Sequence, residues 1–260
     1  MRLLCSNESR ADWLCVHQPE TPREKPFEGV MHVKPAIYYA SLLGLEAVVA
    51  QLLSMGDDVE VRAGDYSFAL NAASAEGYEQ VVRMLLNVGS DLAPGAEDCS
   101  TTLRTASAKG HERVVQTLTE AGADVNSTGE DLECAALHGA IQGGYAKVVQ
   151  MLLAAGADIN MLDGEYGNAL EAAARQRHEK IVQILLEAGA NPDQRGEFNT
   201  TLGSASANGR DETMQMLLDA GVDVNVQRPC GGTALQYAAK WGKETVVQML
   251  LDAGADVNVG

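Results

Sequence analysis

Seven glycines, at positions 56, 89, 122, 156, 189, 221 and 254, each open a near-copy of the run Gly-Ala-Asp-Val-Asn. The gaps between them are 33, 33, 34, 33, 32 and 33 residues. A fixed period of this size is the signature of stacked supersecondary units, not of one globular core. Each unit touches only its neighbours, so the stack lengthens in one direction and displays surface instead of enclosing a cavity. The period therefore bears on function before any single residue does. It favours a protein that meets other macromolecules.

A second pattern runs inside each period. A leucine-like anchor (Ile37, Leu70, Leu103, Leu137, Leu170, Leu202, Leu235) is followed three residues later by an alanine (Ala40, Ala73, Ala106, Ala140, Ala173, Ala205, Ala238). That spacing puts both on one helix face, and the small side chain lets the next helix come close. Four residues beyond the alanine stands glycine in six of the seven units, at 44, 77, 110, 144, 209 and 242. Glycine there takes the left-handed conformation that ends one helix and turns into the next. Arg177 holds that place in the fifth unit, where a side chain costs roughly 1 kcal/mol more, so a local weakness is predicted.

The second helix of each unit carries apolar pairs, as in Val81-Val82 with Leu85-Leu86, Ile181-Val182 with Leu185-Leu186, and Val246-Val247 with Leu250-Leu251. So broad an apolar face is suited to burial between helices. Each buried Leu or Val contributes ~1.5–3 kcal/mol, but a lone unit leaves much of the face wet, so stability must come from stacking. Thr119 replaces the last leucine of the pattern in the third unit and marks a second predicted weak point.

The chain is 46% hydrophobic yet only 5% aromatic, which suits thin layers of closely spaced helices. Its net charge of −17 argues against nucleic acid or an anionic membrane as partner, since both carry the same sign. No apolar run approaches the ~18 residues of a membrane span. The apolar stretch after Arg2 ends at Cys5, far short of the ~7–15 residues of a secretory signal, so a cytoplasmic or nuclear location is expected. Cys5, Cys15, Cys99, Cys134 and Cys230 form no CxxC pair, and their scatter indicates neither a disulfide framework nor a zinc site. Free thiols are expected.

Here the sequence resembles the ankyrin repeat family, over about residues 31–260. The seventh unit carries the likeness most clearly, from Thr233-Ala-Leu235 through Gly242 and Leu250-Leu251 to Gly254-Ala-Asp-Val-Asn258. The family's usual Thr-Pro-Leu-His opening is degraded elsewhere, to Thr101-Thr-Leu-Arg104, Asn168-Ala-Leu-Glu171 and Thr200-Thr-Leu-Gly203. Two stretches, Gly164-Glu-Tyr-Gly-Asn-Ala-Leu170 and Ala36-Ile-Tyr-Tyr-Ala-Ser-Leu-Leu-Gly-Leu45, look like the variant in ankyrin arrays of fungal NACHT-type (NLR-like) receptors. Trp13-Leu14, His17, Pro19, Pro22 and Pro26 are similar to the linker leading into such arrays. No GxxxxGK[ST] loop accompanies them, so the nucleotide switch of those receptors is not in this sequence.

The resemblance implies an all-α ankyrin-repeat solenoid of about seven helix-turn-helix units, with projecting finger loops. The units are expected at about 31–63, 64–96, 97–130, 131–163, 164–195, 196–228 and 229–260. Residues 1–30 fall outside them as a Pro- and charge-rich segment, expected to be extended and partly disordered. Trp13 and Leu14 there suit either a cap on the first unit or a contact with an upstream domain.

Divided on the ankyrin plan, the charge is uneven. Residues 31–260 contain 31 acids and 15 bases, and the seven inter-unit segments hold 18 of those acids but only Arg62, Arg195 and Arg228. The finger edge is thus at −15, and like charges in a row attract cationic partners at some cost in self-repulsion. Six of the aspartates (58, 91, 124, 158, 223 and 256) belong to the repeat motif, where satisfying turn amides is the plainer role. Candidate contacts along the fingers are Asp65, Tyr66, Glu97, Asp98, Asp131, Glu133, Glu165, Tyr166, Glu197 and Phe198. Three of these sites repeat Gly-acid-aromatic, which suits gripping Lys or Arg by ion pairing and cation–π contact, or simply stiffening the turn.

The last residues of the first helices should face the same way as the fingers. Glu76, Lys109, Arg175, Gln176, Lys240 and Trp241 stand there. They vary while the anchors stay constant, as recognition requires, and Trp is enriched at interface hot spots. The expected partner is a protein, with a basic surface or segment, docked on the concave groove and acidic edge. The alternative is a sensor or autoinhibitory array of a NACHT-type receptor, folded back on its own switch. Val246, Met249 and Leu250 are expected to leave an uncovered end that invites self-association.

Nothing in the residue pattern points to chemistry. There is no HExxH and no GxSxG, and an open stack lacks a closed, water-poor pocket. His111 and His178 share one position at the start of a second helix, and His138 stands where the family's helix-opening histidine does; all three read as structural. No catalytic residue, metal or cofactor is expected.

Overall fold

A computed structural model describes residues 35–55, 63–88, 97–128, 135–163, 167–194, 200–227 and 232–258, and only the backbone of 63–66, 97–100 and 163. The expectations for residues 1–30, and for Asp131, Glu133, Glu165, Tyr166, Glu197 and Phe198, lie outside the described residues. The chain forms two compact units, Met1–Leu92 and Ala93–Gly260.

In the first, α1 (Ala36–Leu42) and α2 (Glu46–Ser54) are followed by α3 (Ala63–Glu76) and α4 (Glu79–Val88). First helix packs on first helix and second on second, α1 against α3 and α2 against α4. The second unit repeats the same plan. Its first helices are α5 (Glu97–Lys109), α7 (Ala136–Gln142), α9 (Ala169–Gln176), α11 (Thr201–Asn208) and α13 (Ala234–Lys240). Its second helices are α6 (Glu112–Glu120), α8 (Ala146–Ala154), α10 (Glu179–Glu187), α12 (Asp211–Asp219) and α14 (Glu244–Asp252). Each member of either row packs on the next. Helices this short are marginal alone in water, so this packing is what sustains them.

The core follows the predicted periodicity. All seven anchors and all seven alanines three residues on are buried. The turns between paired helices follow it too. At Gly110 (φ 76°), the N–H of His111 donates to the Ala106 carbonyl oxygen at 3.0 Å, closing the helix end. Arg177 keeps that geometry with φ 68° and ψ 35°, and is the single non-glycine residue of positive φ among the described residues. The glycine also makes room for the neighbouring unit. A Cβ at Gly110 would lie 2.4 Å from the Tyr145 ring, and one at Gly44 would lie 2.7 Å from the Tyr78 ring.

Helix starts depart from expectation in two units. Asn168, Thr200 and Thr233 each accept a hydrogen bond from the backbone N–H three residues on, and so fix where α9, α11 and α13 begin. The equivalent residue of the second unit is Phe68, which offers no such oxygen, and α3 runs back to Ala63. Gly64-Asp65-Tyr66 therefore lie inside a helix, not in a finger before it. Glu97 and Asp98 likewise open α5, where two carboxylates suit a helix N-terminus. The one strand pair among the described residues is β1 (Leu162–Asp163) with β2 (Gly167–Asn168), antiparallel, a single finger drawn into a hairpin.

The far end is also corrected. Of the three residues expected to be uncovered, Val246 and Leu250 are fully buried and Met249 is half-buried. What the last unit exposes is set by comparison with the fifth. Ala174 and Val182 are buried, whereas their counterparts Ala239 and Val247 are exposed and half-buried.

Candidate partner-binding surface

The surface is built from the last turn of each first helix. Counting from the buried anchor, the residues five and six places on lie at the end of the packed stretch. In the second compact unit these pairs are Ala108-Lys109, Gln142-Gly143, Arg175-Gln176, Ala207-Asn208 and Lys240-Trp241. The anchors barely change, whereas no two of these pairs are the same, although alanine recurs at 108 and 207. Of the predicted contacts with described side chains, Lys109, Arg175, Gln176, Lys240 and Trp241 share this row and all are exposed. Glu76 is exposed at the same place in α3, within the first compact unit.

The row is not acidic. Among the described residues of α7, α9, α11 and α13 there is one carboxylate, Glu171, and it is 3% exposed, accepting a hydrogen bond from the Ser204 hydroxyl at 3.2 Å. Trp241 is 59% exposed, with the Lys240 ammonium 5.9 Å from its ring centroid. Beside them Gly232, Gln236, Tyr237 and Lys240 line an open cleft of about 230 Å³. The Gln236 side chain is held there, accepting from the Thr233 N–H at 3.0 Å. Sequence reasoning missed this cleft and the buried Glu171, because neither repeats with the period.

A hydrogen-bonded ladder fixes the bases of the fingers. Asn126 donates from Nδ2 to the Gly156 carbonyl at 3.1 Å and accepts from the Asp158 N–H at 2.7 Å. Asn225 does the same to Gly254 and Asp256, at 3.4 and 2.8 Å. The four described motif aspartates, Asp124, Asp158, Asp223 and Asp256, each accept from the N–H two residues on, as Asp124 does from Asn126 at 2.9 Å. These four are thus occupied with their own turns. In the fifth unit the two residue types are exchanged. Asn191 takes the turn role, at 3.0 Å from the Asp193 N–H, and Asp193 accepts from the Asp223 N–H at 3.0 Å.

A paired-helix unit, repeated with buried anchors and linked by Asp/Asn turns, is what the family model describing ankyrin repeats in three copies matches, at residues 36–129, 127–196 and 194–260. The chain belongs to the ankyrin repeat family. The crystal structure of the human ASB11 ankyrin repeat domain is similar, at 25% identity and a TM-score of 0.71, the match covering 85% of this chain and 98% of that one. No curated protein sequence matches the chain. Neither match bears on the narrower likeness to NACHT-type arrays. Ankyrin repeats mediate protein–protein interaction and form a family of binding modules. Among the described residues no helix is long and apolar enough to cross a membrane, and no group of three or more His, Cys, Asp and Glu converges as a metal site would.

Proposed function

We propose that this ankyrin array is a non-catalytic protein-binding module that takes its partner across the ends of its first helices and along its acidic finger edge. The observation that carries this is the contrast within each first helix. The anchors are buried and nearly constant, whereas the residue six places on is exposed in every unit and different in each. A surface used for recognition needs such variety on a common frame. The inter-unit segments, at −12 by sequence once Asp65, Glu97 and Asp98 are counted with α3 and α5, suit a basic surface or segment, with Glu165 and Glu197 as contacts. A cytoplasmic or nuclear setting fits the acidic, cysteine-scattered composition.

Affinity capture from an extract tests it, with Arg175→Ala/Trp241→Ala as the paired bait. A partner is expected that loses at least tenfold in affinity for the double variant. Its binding should also weaken with added salt, because exposed charges are screened over ~8–10 Å. A partner held equally by both baits would overturn the first-helix reading. One indifferent to both salt and Glu165→Lys would remove the finger edge from it.

A second reading is favoured by the two stretches 36–45 and 164–170, which look like NACHT-type arrays. In it, the array restrains a nucleotide switch until a ligand intervenes. Transcript sequence upstream of Met1 decides it: a reading frame that continues into a Walker loop supports it, and one that does not refutes it.

A further inference from the structure

Basic residues are distributed over these helices in a way that helix stability does not explain. A cation in the last turn complements the partial negative charge of a helix C-terminus, so such residues have an ordinary use. That use is equally open to every helix of the array. Among the described helices, however, a last-turn base occurs in α5, α9 and α13 alone, as Lys109, Arg175 and Lys240. The first helices between them, α7 and α11, have none and end in the carboxamides Gln142 and Asn208. The five second helices of the same compact unit have none either. The cations therefore mark every second unit along one row, and the exposed pairs of that row contain no carboxylate.

Spacing gives the row a length scale. Neighbouring packed helices lie ~8–10 Å apart, which separates successive cations by about 16–20 Å. An extended polypeptide rises ~3.3 Å per residue, so that distance is five or six residues of bound chain. The row ends at Trp241, exposed beside Lys240, and at the open cleft formed with Tyr237.

We propose that the last turns of α5, α9 and α13 form a docking track for an extended acidic segment of a partner protein, whose carboxylates recur about every sixth residue and meet Lys109, Arg175 and Lys240 in turn. This deepens the reading that first-helix ends bind protein, and rests on it. The acidic segments between units oppose such a ligand at long range, and at physiological salt charges are screened over ~8 Å, so the test is made at that salt.

The test is an NMR titration of the full chain at physiological salt with a Gly/Ser peptide carrying three Glu pairs six residues apart. Its two controls are the same peptide with the pairs contiguous, and with Lys for Glu. The spaced Glu peptide is expected to shift amides at 108–109, 175–176 and 240–241, and to bind at least tenfold more weakly to Lys109→Gln/Arg175→Gln/Lys240→Gln. The variant Lys109→Arg/Arg175→Lys/Lys240→Arg, which keeps the charges, should retain binding within threefold and so separates lost charge from lost fold. The proposal is overturned if the peptide shifts none of these amides, if the Gln variant binds as the wild type does, or if the contiguous or Lys peptide binds the row equally well. A captured partner that depends on Trp241 would survive that outcome, so failure of the track is distinguishable from failure of the first-helix reading.

Discussion

Arg177 sits where six other units place glycine, and it adopts the same left-handed conformation at φ 68°. The helix-closing bond survives, from the His178 N–H to the Ala173 carbonyl at 3.1 Å, so what differs is the strain of holding a side chain there. Arg177→Gly is expected to raise the free energy of unfolding by about 1 kcal/mol, read from urea denaturation. Gly110 argues the reverse case. Gly110→Ala adds both a left-handed side chain and a Cβ 2.4 Å from the Tyr145 ring, and should cost roughly 1–3 kcal/mol. Tyr145→Ala in the same chain should return part of that loss, because the ring is half of the conflict. The glycine was legible in the sequence as a helix terminator. Its second duty was not, since the ring that crowds it lies 35 residues away and nothing in the local pattern ties the two together.

At the scale of elements, the joint after the fifth unit has a ladder unlike those at Asn126 and Asn225. Asn126 and Asn225 both donate to the glycine carbonyl of the next unit as well as accepting from its aspartate N–H. Asp193 is a carboxylate and accepts from Asp223, but it has no hydrogen to give the Gly221 carbonyl. Asp193→Asn restores a donor, and should stabilise the joint by about 0.5–1.5 kcal/mol. Slower hydrogen exchange at the Asp223 and Val224 amides would report it, and unchanged exchange would refute it. The order of helices was legible because each anchor and its alanine repeat together. Helix starts were less so. A side-chain oxygen two residues before the anchor caps three of them, at Asn168, Thr200 and Thr233, but α5 runs back to Glu97 past Thr101 and α7 starts after Ala135 with no side-chain cap. The residue at that place is therefore not enough to locate a helix start, and α3 takes up a stretch that reads as a finger by spacing alone. Thr119, marked as a weak point by its departure from leucine, instead satisfies its hydroxyl on the Val115 carbonyl at 3.0 Å and the Gln116 carbonyl at 2.9 Å. The apolar contact is lost there, but no polar group is left bare.

Over the whole molecule the charge pattern was legible only in part, because a count of finger residues does not register which helix ends carry bases. With Asp65, Glu97 and Asp98 counted in their helices, the inter-unit segments are acidic by 15 to three, whereas the first-helix ends of the second compact unit carry cations and amides. Two effects of salt on stability then compete. Screening weakens attractive surface pairs, each worth ~0–1 kcal/mol, and it also weakens repulsion between like charges. With carboxylates outnumbering bases this far in the inter-unit segments, repulsive pairs dominate, so the sign is determined. Raising sodium chloride from ~0.01 to ~0.2 M shortens the screening length from ~30 to ~7 Å, and the urea midpoint should rise across that range. The response belongs to the edge as a whole. A variant with Glu130→Gln, Asp131→Asn and Glu133→Gln should be more stable than the wild type at low salt and gain less from added salt. A midpoint that falls with salt would mean attraction dominates, and that the finger carboxylates are mostly paired with the bases of the helices.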